Sequence, residues 1–163
     1  MQLSIFKLIQ IPNPQFLIPK SNHMASVNAY LNFEGNTEEV FNFYKAAFGG
    51  EFHMFQRFGD TPGGDKMSDE DKQKIMHVSL PIGKGSVLMG TDALESMGHK
   101  VHMGDNISLA IGTESEEEAN HLFTALSEGG KVTMPLQKTF WNAYFGMFTD
   151  KFGIQWMVNY DYK

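Results

Sequence analysis

Residues 36–50 read NTEEVFNFYKAAFGG, and this stretch carries the signals of one amphipathic helix with a defined start and stop. Asn36 or Thr37 can cap the helix, and the two glutamates that follow complement its dipole in the first turn. Apolar residues then recur at helical spacing until a diglycine, a sequence that commonly ends helices. The sequence therefore predicts a helix over Thr37–Phe48.

Strand patterns surround this helix. Residues 27–33 alternate between apolar and polar-capable side chains, which is typical of a strand with one buried face. Three further strands are predicted after the helix, at residues 51–58, 75–82 and 86–92, with a polar, glycine-rich excursion over 59–74. The predicted order of the first half is strand, helix, strand, strand, strand.

The same order returns about 80 residues later. Ser115 is a good cap for a second helix over 115–127, which again ends at a diglycine. Strands are predicted before it at 107–112 and after it at 132–136, 144–149 and 154–160. The pattern favours an internal duplication, although helices followed by diglycines and strands also occur in unduplicated α+β folds.

The composition is that of one globular domain, with 163 residues, 42% hydrophobic and 20% charged. A net charge of -6 without clustered Lys and Arg argues against a nucleic-acid partner. The chain has no cysteine, which excludes disulfides and cysteine-based metal sites and fits the reducing cytoplasm. No apolar run approaches the roughly 20 residues of a membrane-spanning helix. We therefore expect a cytoplasmic protein without a membrane partner.

The first 23 residues differ from the rest of the chain. Pro12, Pro14 and Pro19 interrupt a short apolar stretch, which makes it a poor signal peptide. We expect residues 1–23 to be a tail outside the fold, with Met24 as the start of the native chain or residues 21–26 as a cloning remnant.

Several local sequences resemble PhnB-like proteins of the glyoxalase/bleomycin-resistance/dioxygenase (vicinal oxygen chelate) superfamily. The resemblance spans about residues 25–160 and rests on YLNFEGN at 30–36, FYKAAFGGE at 43–51, MHV at 76–78, LMGTD at 88–92, TFW at 139–141, FG at 145–146 and TDKFGIQWMVN at 149–159. The last string is the most specific, whereas the helix end FYxxxFG is shared by the whole superfamily. Some PhnB-like proteins carry a demethylubiquinone methyltransferase-like label.

The resemblance implies an α+β fold of paired βαβββ modules, the glyoxalase/bleomycin-resistance fold. The single domain would span residues 24–163, with modules at about 25–96 and 105–160. Each module would curl its sheet around a cavity, and a homodimer would be the expected assembly. Metal-dependent members hold a divalent ion there with His, Glu and sometimes Tyr, because such cations need nitrogen or oxygen donors.

The four positions that the resemblance assigns to metal ligands are Ala29, Met89, Asn106 and Met157. Only the asparagine offers an oxygen, and a shift of one residue along any strand does not assemble three ligands. We therefore expect no metal and no other cofactor. This departure argues against glyoxalase, fosfomycin-transferase and ring-cleaving dioxygenase activities, and we expect these four residues to line one cavity instead.

His77 and Asp92 are the candidate catalytic residues. A histidine within an apolar strand is more often a core or interface residue than a base, but His77 matches the strand histidine of the family. Asp92 ends the neighbouring predicted strand, and a nearby carboxylate could orient the imidazole for acid–base work. His99 and His102, with Asp105 nearby, have a spacing that could hold a metal, but their glycine-containing segment is more simply a solvated loop.

Eleven methionines and 13% aromatic residues also suggest a ligand cavity, because methionine adapts to irregular apolar shapes. We select Met89, Met157, Trp141 and Trp156 as ligand-binding candidates beside His77, although each residue could equally fill the core.

Two functions remain open. The first is metal-free binding of an unidentified small molecule in the curled-sheet cavity. The second is an enzyme of isomerase, lyase or dioxygenase type, with acid–base chemistry at His77 or a metal held by unaligned residues. This alternative is kept because the chain retains polar groups, namely His77, Asp92, Gln155 and Asn159. The methyltransferase label has little support, because no glycine-rich strand–helix turn of a doubly wound sheet is present.

Overall fold

Two four-stranded mixed sheets form the framework of the protein, one in each half of the chain. The structure, a computed structural model, describes residues 26–163. The predicted tail over residues 1–23 lies outside these described residues. No helix within residues 26–163 is long and apolar enough to cross a membrane.

The first module begins with β1 (Ala29–Phe33) and α1 (Thr37–Phe48). The strands β2 (Met54–Arg57), β3 (Ile75–Gly83) and β4 (Ser86–Asp92) follow. Their spatial order is β1-β4-β3-β2, in which β1 runs parallel to β4 and the other neighbours are antiparallel. A short helix, α2 (Asp69–Gln73), lies between β2 and β3.

The second module repeats this topology. It contains β5 (Leu109–Gly112), α3 (Glu116–Ser127), β6 (Lys131–Lys138), β7 (Ala143–Thr149) and β8 (Gln155–Asp161). The order β5-β8-β7-β6, with β5 parallel to β8, is that of the first module. The predicted α+β fold of paired βαβββ modules is confirmed.

Local sequence signals explain most of the element boundaries. The helix α1 has the predicted span, and the Ser115 hydroxyl caps α3 by accepting a hydrogen bond from the Glu118 amide at 3.1 Å. The excursion over 59–74 is more ordered than predicted, because Ser68 caps α2 in the same way. β5 starts two residues later than predicted, at Leu109.

The core lies between the sheets and the two long helices. Alternate strand residues point toward these helices and are buried, among them Leu88, Val78, Phe148 and Val158. The packing is so close that a Cβ added at Gly90 would overlap the Phe41 ring of α1. One face of each sheet is therefore covered by helix, which leaves the opposite face for other contacts.

A buried polar cluster joins the two modules. Asp150, which follows β7 and is 4% exposed, accepts hydrogen bonds from the Tyr44 hydroxyl of α1 at 2.7 Å and the Trp156 indole at 2.9 Å. Burial raises the pKa of Tyr44, and the Asp150 charge and hydrogen bond raise it further. Tyr44 therefore remains a neutral hydrogen-bond donor that ties the first module to the second.

Candidate ligand-binding site

The sheet face turned away from α1 carries two rows of side chains, because residues directly opposite one another in neighbouring strands project to the same side. The strand pairing places one row across the sheet in the order Tyr30, Met89, Ser79, Met54. The same register places the second row in the order Asn32, Thr91, His77, Gln56. We call these eight residues the first open face.

The second module has an equivalent surface, which we call the second open face. Its two rows, in the same strand order, are Ala110, Met157, Met147, Met134 and Gly112, Asn159, Phe145, Gln137. Trp141 extends this surface, since its ring lies 5.9 Å from the Phe145 ring in an edge-on arrangement. Methionine and aromatic side chains therefore dominate this face.

The two open faces have different chemistry at equivalent positions. Tyr30 and His77 of the first face correspond to Ala110 and Phe145 of the second, and Ser79 corresponds to Met147. The first face thus presents mainly hydrogen-bonding groups and the second mainly apolar ones.

None of the eight residues that define either open face is Asp, Glu, Lys or Arg. Charged side chains enter in the flanking rows of the second sheet, where Asp161 pairs with Ala143 and Lys131 pairs with Thr149.

Tyr30 and His77 form the most specific contact of the first open face. The Tyr30 hydroxyl lies 3.2 Å from His77 Nδ1, and the ring centroids are 5.6 Å apart with planes inclined at 33°. Tyr30 keeps 44% of its surface exposed. Burial of the remainder raises the pKa of its hydroxyl, while a hydrogen bond with Thr91 opposes the shift. Tyr30 was not among the residues predicted from the sequence, although it is the polar-capable neighbour of Ala29.

The structure separates the four residues that were expected to line one cavity. Met89 and Met157 occupy equivalent places in the two open faces, opposite Tyr30 and Ala110. Ala29 instead pairs with Leu88 and packs against the core. Asn106 lies in the connection that precedes β5, outside the strand.

Trp156 belongs to the core rather than to an open face. It is 1% exposed, and its indole donates to Asp150. One edge of it also lines a cleft of about 680 Å³ between the β1 and β5 edges, which Ala29, Leu31 and Ile107 line as well. This cleft is mainly apolar.

Asp92 is fully engaged by backbone and hydroxyl donors. Its Oδ1 accepts from the Gly35 amide at 3.1 Å and from the amide and hydroxyl of Thr37 at 3.0 and 2.6 Å. Its Oδ2 accepts from the Ile75 amide at 2.7 Å. The carboxylate is 3% exposed and none of its hydrogen bonds within the described residues involves His77. Asp92 therefore joins α1 to the sheet and does not orient the imidazole.

A larger polar pocket, of about 960 Å³, lies beside the start of α1 and the end of β4. Several of its charged side chains form ion pairs. Arg57 binds both carboxylate oxygens of Glu38, at 2.9 and 2.8 Å, and Lys74 binds Asp71 and Glu70, both at 3.0 Å. The Arg57–Glu38 pair joins β2 to α1, and Arg57 also donates to the Gln73 carbonyl oxygen at the end of α2. Both Lys74 pairs lie within the α2 segment itself.

Comparison with known proteins places the chain in a family. A family model described as 3-demethylubiquinone-9 3-methyltransferase matches residues 25–159. The protein YjdN of Escherichia coli K12 is 33% identical over 141 residues, which cover 82% of this chain and 93% of YjdN. The chain belongs to this PhnB-like family.

Solved structures of PhnB-like and related proteins agree with this assignment. PA1353 from Pseudomonas aeruginosa is 40% identical, with a TM-score of 0.74, covering 85% of this chain and 98% of PA1353. A PhnB protein from Bacillus cereus is 26% identical, with a TM-score of 0.66 and coverages of 83% and 99%. A glyoxalase/bleomycin resistance protein/dioxygenase family enzyme from Burkholderia phytofirmans, 19% identical with a TM-score of 0.54 and coverages of 82% and 98%, shares the fold.

The divalent metal of the superfamily does not fit the side chains of this PhnB-like protein. No three His, Asp or Glu side chains converge anywhere in residues 26–163. The edge and central strands of the open faces offer Tyr30, Met89, Ala110 and Met157 at equivalent positions, which supply one phenol oxygen and two thioethers. Zinc, manganese and ferrous ions prefer imidazole and carboxylate donors to these groups.

Proposed function

We propose that this PhnB-like protein binds a small, partly apolar molecule on its open sheet faces without a metal ion. The observation that carries the proposal is the composition of the two central rows that define each face, which combine methionine, aromatic and neutral hydrogen-bonding side chains without a carboxylate, ammonium or guanidinium group. Ligand sites typically pair an apolar lining with a few placed polar groups. On the second open face, Met157, Phe145 and Trp141 would contact apolar ligand groups. On the first, Tyr30 and His77 would contact polar ligand groups.

We further propose a cytoplasmic homodimer as the working assembly. The described residues include nine exposed large apolar side chains, and four of these line the cleft between β1 and β5: Val27, Tyr30, Met103 and Ile107. β1 and β5 each pair with one strand only, so each leaves an unpaired backbone edge at that cleft. A second copy would cover both the apolar side chains and the open edges, and it would enclose the open faces.

Acid–base catalysis at His77 is a second candidate function, and one contact favours it. The Tyr30 hydroxyl at 3.2 Å from Nδ1 fixes the ring within the open face, as an acid–base residue requires. Methyl transfer is not proposed, because the two mixed sheets of the described residues are not a doubly wound nucleotide-binding sheet.

A small-molecule screen read by melting temperature tests the binding function, since a ligand of the native state raises it. Hits are then placed by nuclear magnetic resonance of methionine methyl groups, where Met89, Met147 and Met157 report on the open faces and Met97 serves as a distant control. We expect hits to shift the first three signals and to bind Met157→Glu at least tenfold more weakly, because that change buries a charge. Hits that shift only Met97, or that bind the variant unchanged, would refute the proposal.

The metal-free part of the proposal needs its own measurement. Protein purified without chelator should carry less than one divalent ion per chain, and chelation should leave its melting temperature unchanged. The metal-free proposal would be contradicted if the purified protein carried one divalent ion per chain and if chelation removed that ion and lowered the melting temperature. That result would favour the second candidate function.

A further inference from the structure

We propose that the Tyr30–His77 pair selects ligands that present an anionic oxygen, such as a carboxylate, phenolate or enolate, and that protonation of His77 switches this selection on. The inference rests on the proposed binding function and names the class of group that the first open face recognises. It follows from the position of the Tyr30 hydroxyl, 3.2 Å from His77 Nδ1.

A neutral imidazole leaves the direction of this hydrogen bond open. Nδ1 either accepts from the Tyr30 hydroxyl or, in the other tautomer, donates to its oxygen. In the first arrangement the Tyr30 hydroxyl donates its hydrogen bond to His77 Nδ1, so that the phenol oxygen can only accept a hydrogen bond from a ligand. The neutral pair therefore has no fixed preference for an acceptor or a donor.

Protonation removes this freedom, because both nitrogens of an imidazolium are donors. Nδ1 must then donate to the Tyr30 oxygen, and the phenol proton must turn away from the imidazole toward the open face. The pair gains a positive charge together with an outward-pointing hydroxyl donor. An anionic oxygen is the group that best satisfies both, since hydrogen bonds with an ionised partner are about twice as strong as neutral ones.

The neighbours of His77 do not compete for that charge. β1 presents Tyr30 and Asn32 to it, β4 presents Met89 and Thr91, and β2 presents Gln56 and Met54. None of these side chains is a carboxylate or a permanent cation.

The nearest cation along β2 is occupied elsewhere. The guanidinium of Arg57 binds Glu38 and the carbonyl oxygen of Gln73. Within the described residues, His77 is therefore the group that brings charge to the first open face, and none of the facing side chains is a carboxylate that would compete with a ligand anion for it.

The second module provides an internal comparison. The positions equivalent to Tyr30 and His77 hold Ala110 and Phe145, which neither donate hydrogen bonds nor change charge. Recognition of an anionic oxygen should therefore belong to the first open face alone.

Benzoate and benzamide are suitable probes, because they share ring and size but differ in charge. Benzoate stays ionised between about pH 5.5 and about pH 8, the range in which histidine changes charge, since carboxyl groups titrate near about pH 4. Binding is measured by calorimetry with the full chain, and methionine methyl signals locate the probe. We expect benzoate to bind about tenfold more tightly at the lower pH, equivalent to about 1.4 kcal/mol, and benzamide to bind equally at both.

Matched variants separate the pair from other histidines. His77→Gln, and independently His77→Phe, which carries the residue type of the equivalent position in the second module, should abolish the pH dependence of benzoate binding. Tyr30→Phe should weaken benzoate more than benzamide at the lower pH. His99→Gln, in the connection between the modules, should leave the tenfold ratio unchanged.

Three outcomes would overturn the inference: no benzoate binding at either pH, pH-independent benzoate binding, or a pH dependence that survives both His77 variants. Each leaves the proposed function standing if hits from the screen still shift the methyl signals of Met89 and Met157. Loss of all ligand effects on those signals would instead refute the binding function itself.

Discussion

The substitution Asp92→Asn tests whether this aspartate is a structural residue or a partner of His77. The native carboxylate is 3% exposed and accepts four hydrogen bonds, three at Oδ1 and one at Oδ2. An asparagine that keeps its oxygen toward Gly35 and Thr37 turns an amide NH₂ group toward the Ile75 amide. That change removes one hydrogen bond and leaves a buried donor without an acceptor.

The expected cost follows from these contacts. An unsatisfied buried donor costs about 1–3 kcal/mol, and the three remaining bonds weaken because their acceptor is no longer charged. We expect Asp92→Asn to lower the free energy of unfolding by about 3 kcal/mol, a large part of the roughly 5–15 kcal/mol typical of a domain. The melting temperature should fall by roughly 10 °C.

Urea unfolding, followed by circular dichroism, measures this loss as a lower midpoint at unchanged slope. Asp161→Asn is the matched control, because Asp161 also ends a strand but is exposed, and among residues 26–163 its carboxylate bonds only the Asn159 side chain. The effect of this change should stay within about 0.5 kcal/mol. Ligand binding by folded Asp92→Asn should match the native protein. A loss of stability below about 1 kcal/mol, or a selective loss of binding, would refute the structural role.

Three further predictions follow from the fold. Tyr44→Phe removes the inter-module hydrogen bond to Asp150 and should lower the free energy of unfolding in urea by about 2 kcal/mol. The control is Tyr144→Phe, which removes a hydroxyl that bonds the exposed Asn120 amide and should cost less than about 1 kcal/mol. Equal losses for the two variants would contradict a stabilising role for the Tyr44–Asp150 bond. Removal of residues 1–23 should leave the melting temperature nearly unchanged, and a large loss would show that this segment docks on the domain. Sedimentation at micromolar concentration should show a dimer, and a monomer there would count against the proposed assembly.

The sequence by itself determined the two helices and their place in a repeated order of elements. Helical spacing and a following diglycine are local signals, so they are readable without tertiary contacts, and so is the Ser115 cap of α3. The predicted cap of α1 is wrong, because the Asn36 side chain makes no cap and Asp92 of β4 accepts from the Thr37 amide instead.

The identities of the residues alone also indicated that the metal-ligand atoms of the superfamily are missing. Alanine and methionine at Ala29, Met89 and Met157 cannot replace imidazole or carboxylate ligands, whatever their exact position.

Only the tertiary structure decided which residues share a surface. Side chains in a strand alternate between faces, so a difference of one residue moves a position from the core to the open face. This is why Tyr30, and not Ala29, lies opposite Met89. The register comes from strand pairing over long sequence separations, and a bulge between Gln56 and Arg57 shifts it further.

The partners of polar groups depend on the same long-range pairing. Tyr30 meets His77 across 47 positions of sequence, and Asp92 meets Thr37 across 55. The sequence placed Asp92 beside His77 because their strands are neighbours, but the carboxylate points to the helix-covered face and the imidazole to the open one. The sheet face on which a side chain lies, and its distance from a partner, depend on how the strands pair, because pleating places neighbouring residues on opposite sides of the sheet. Local sequence does not determine that pairing.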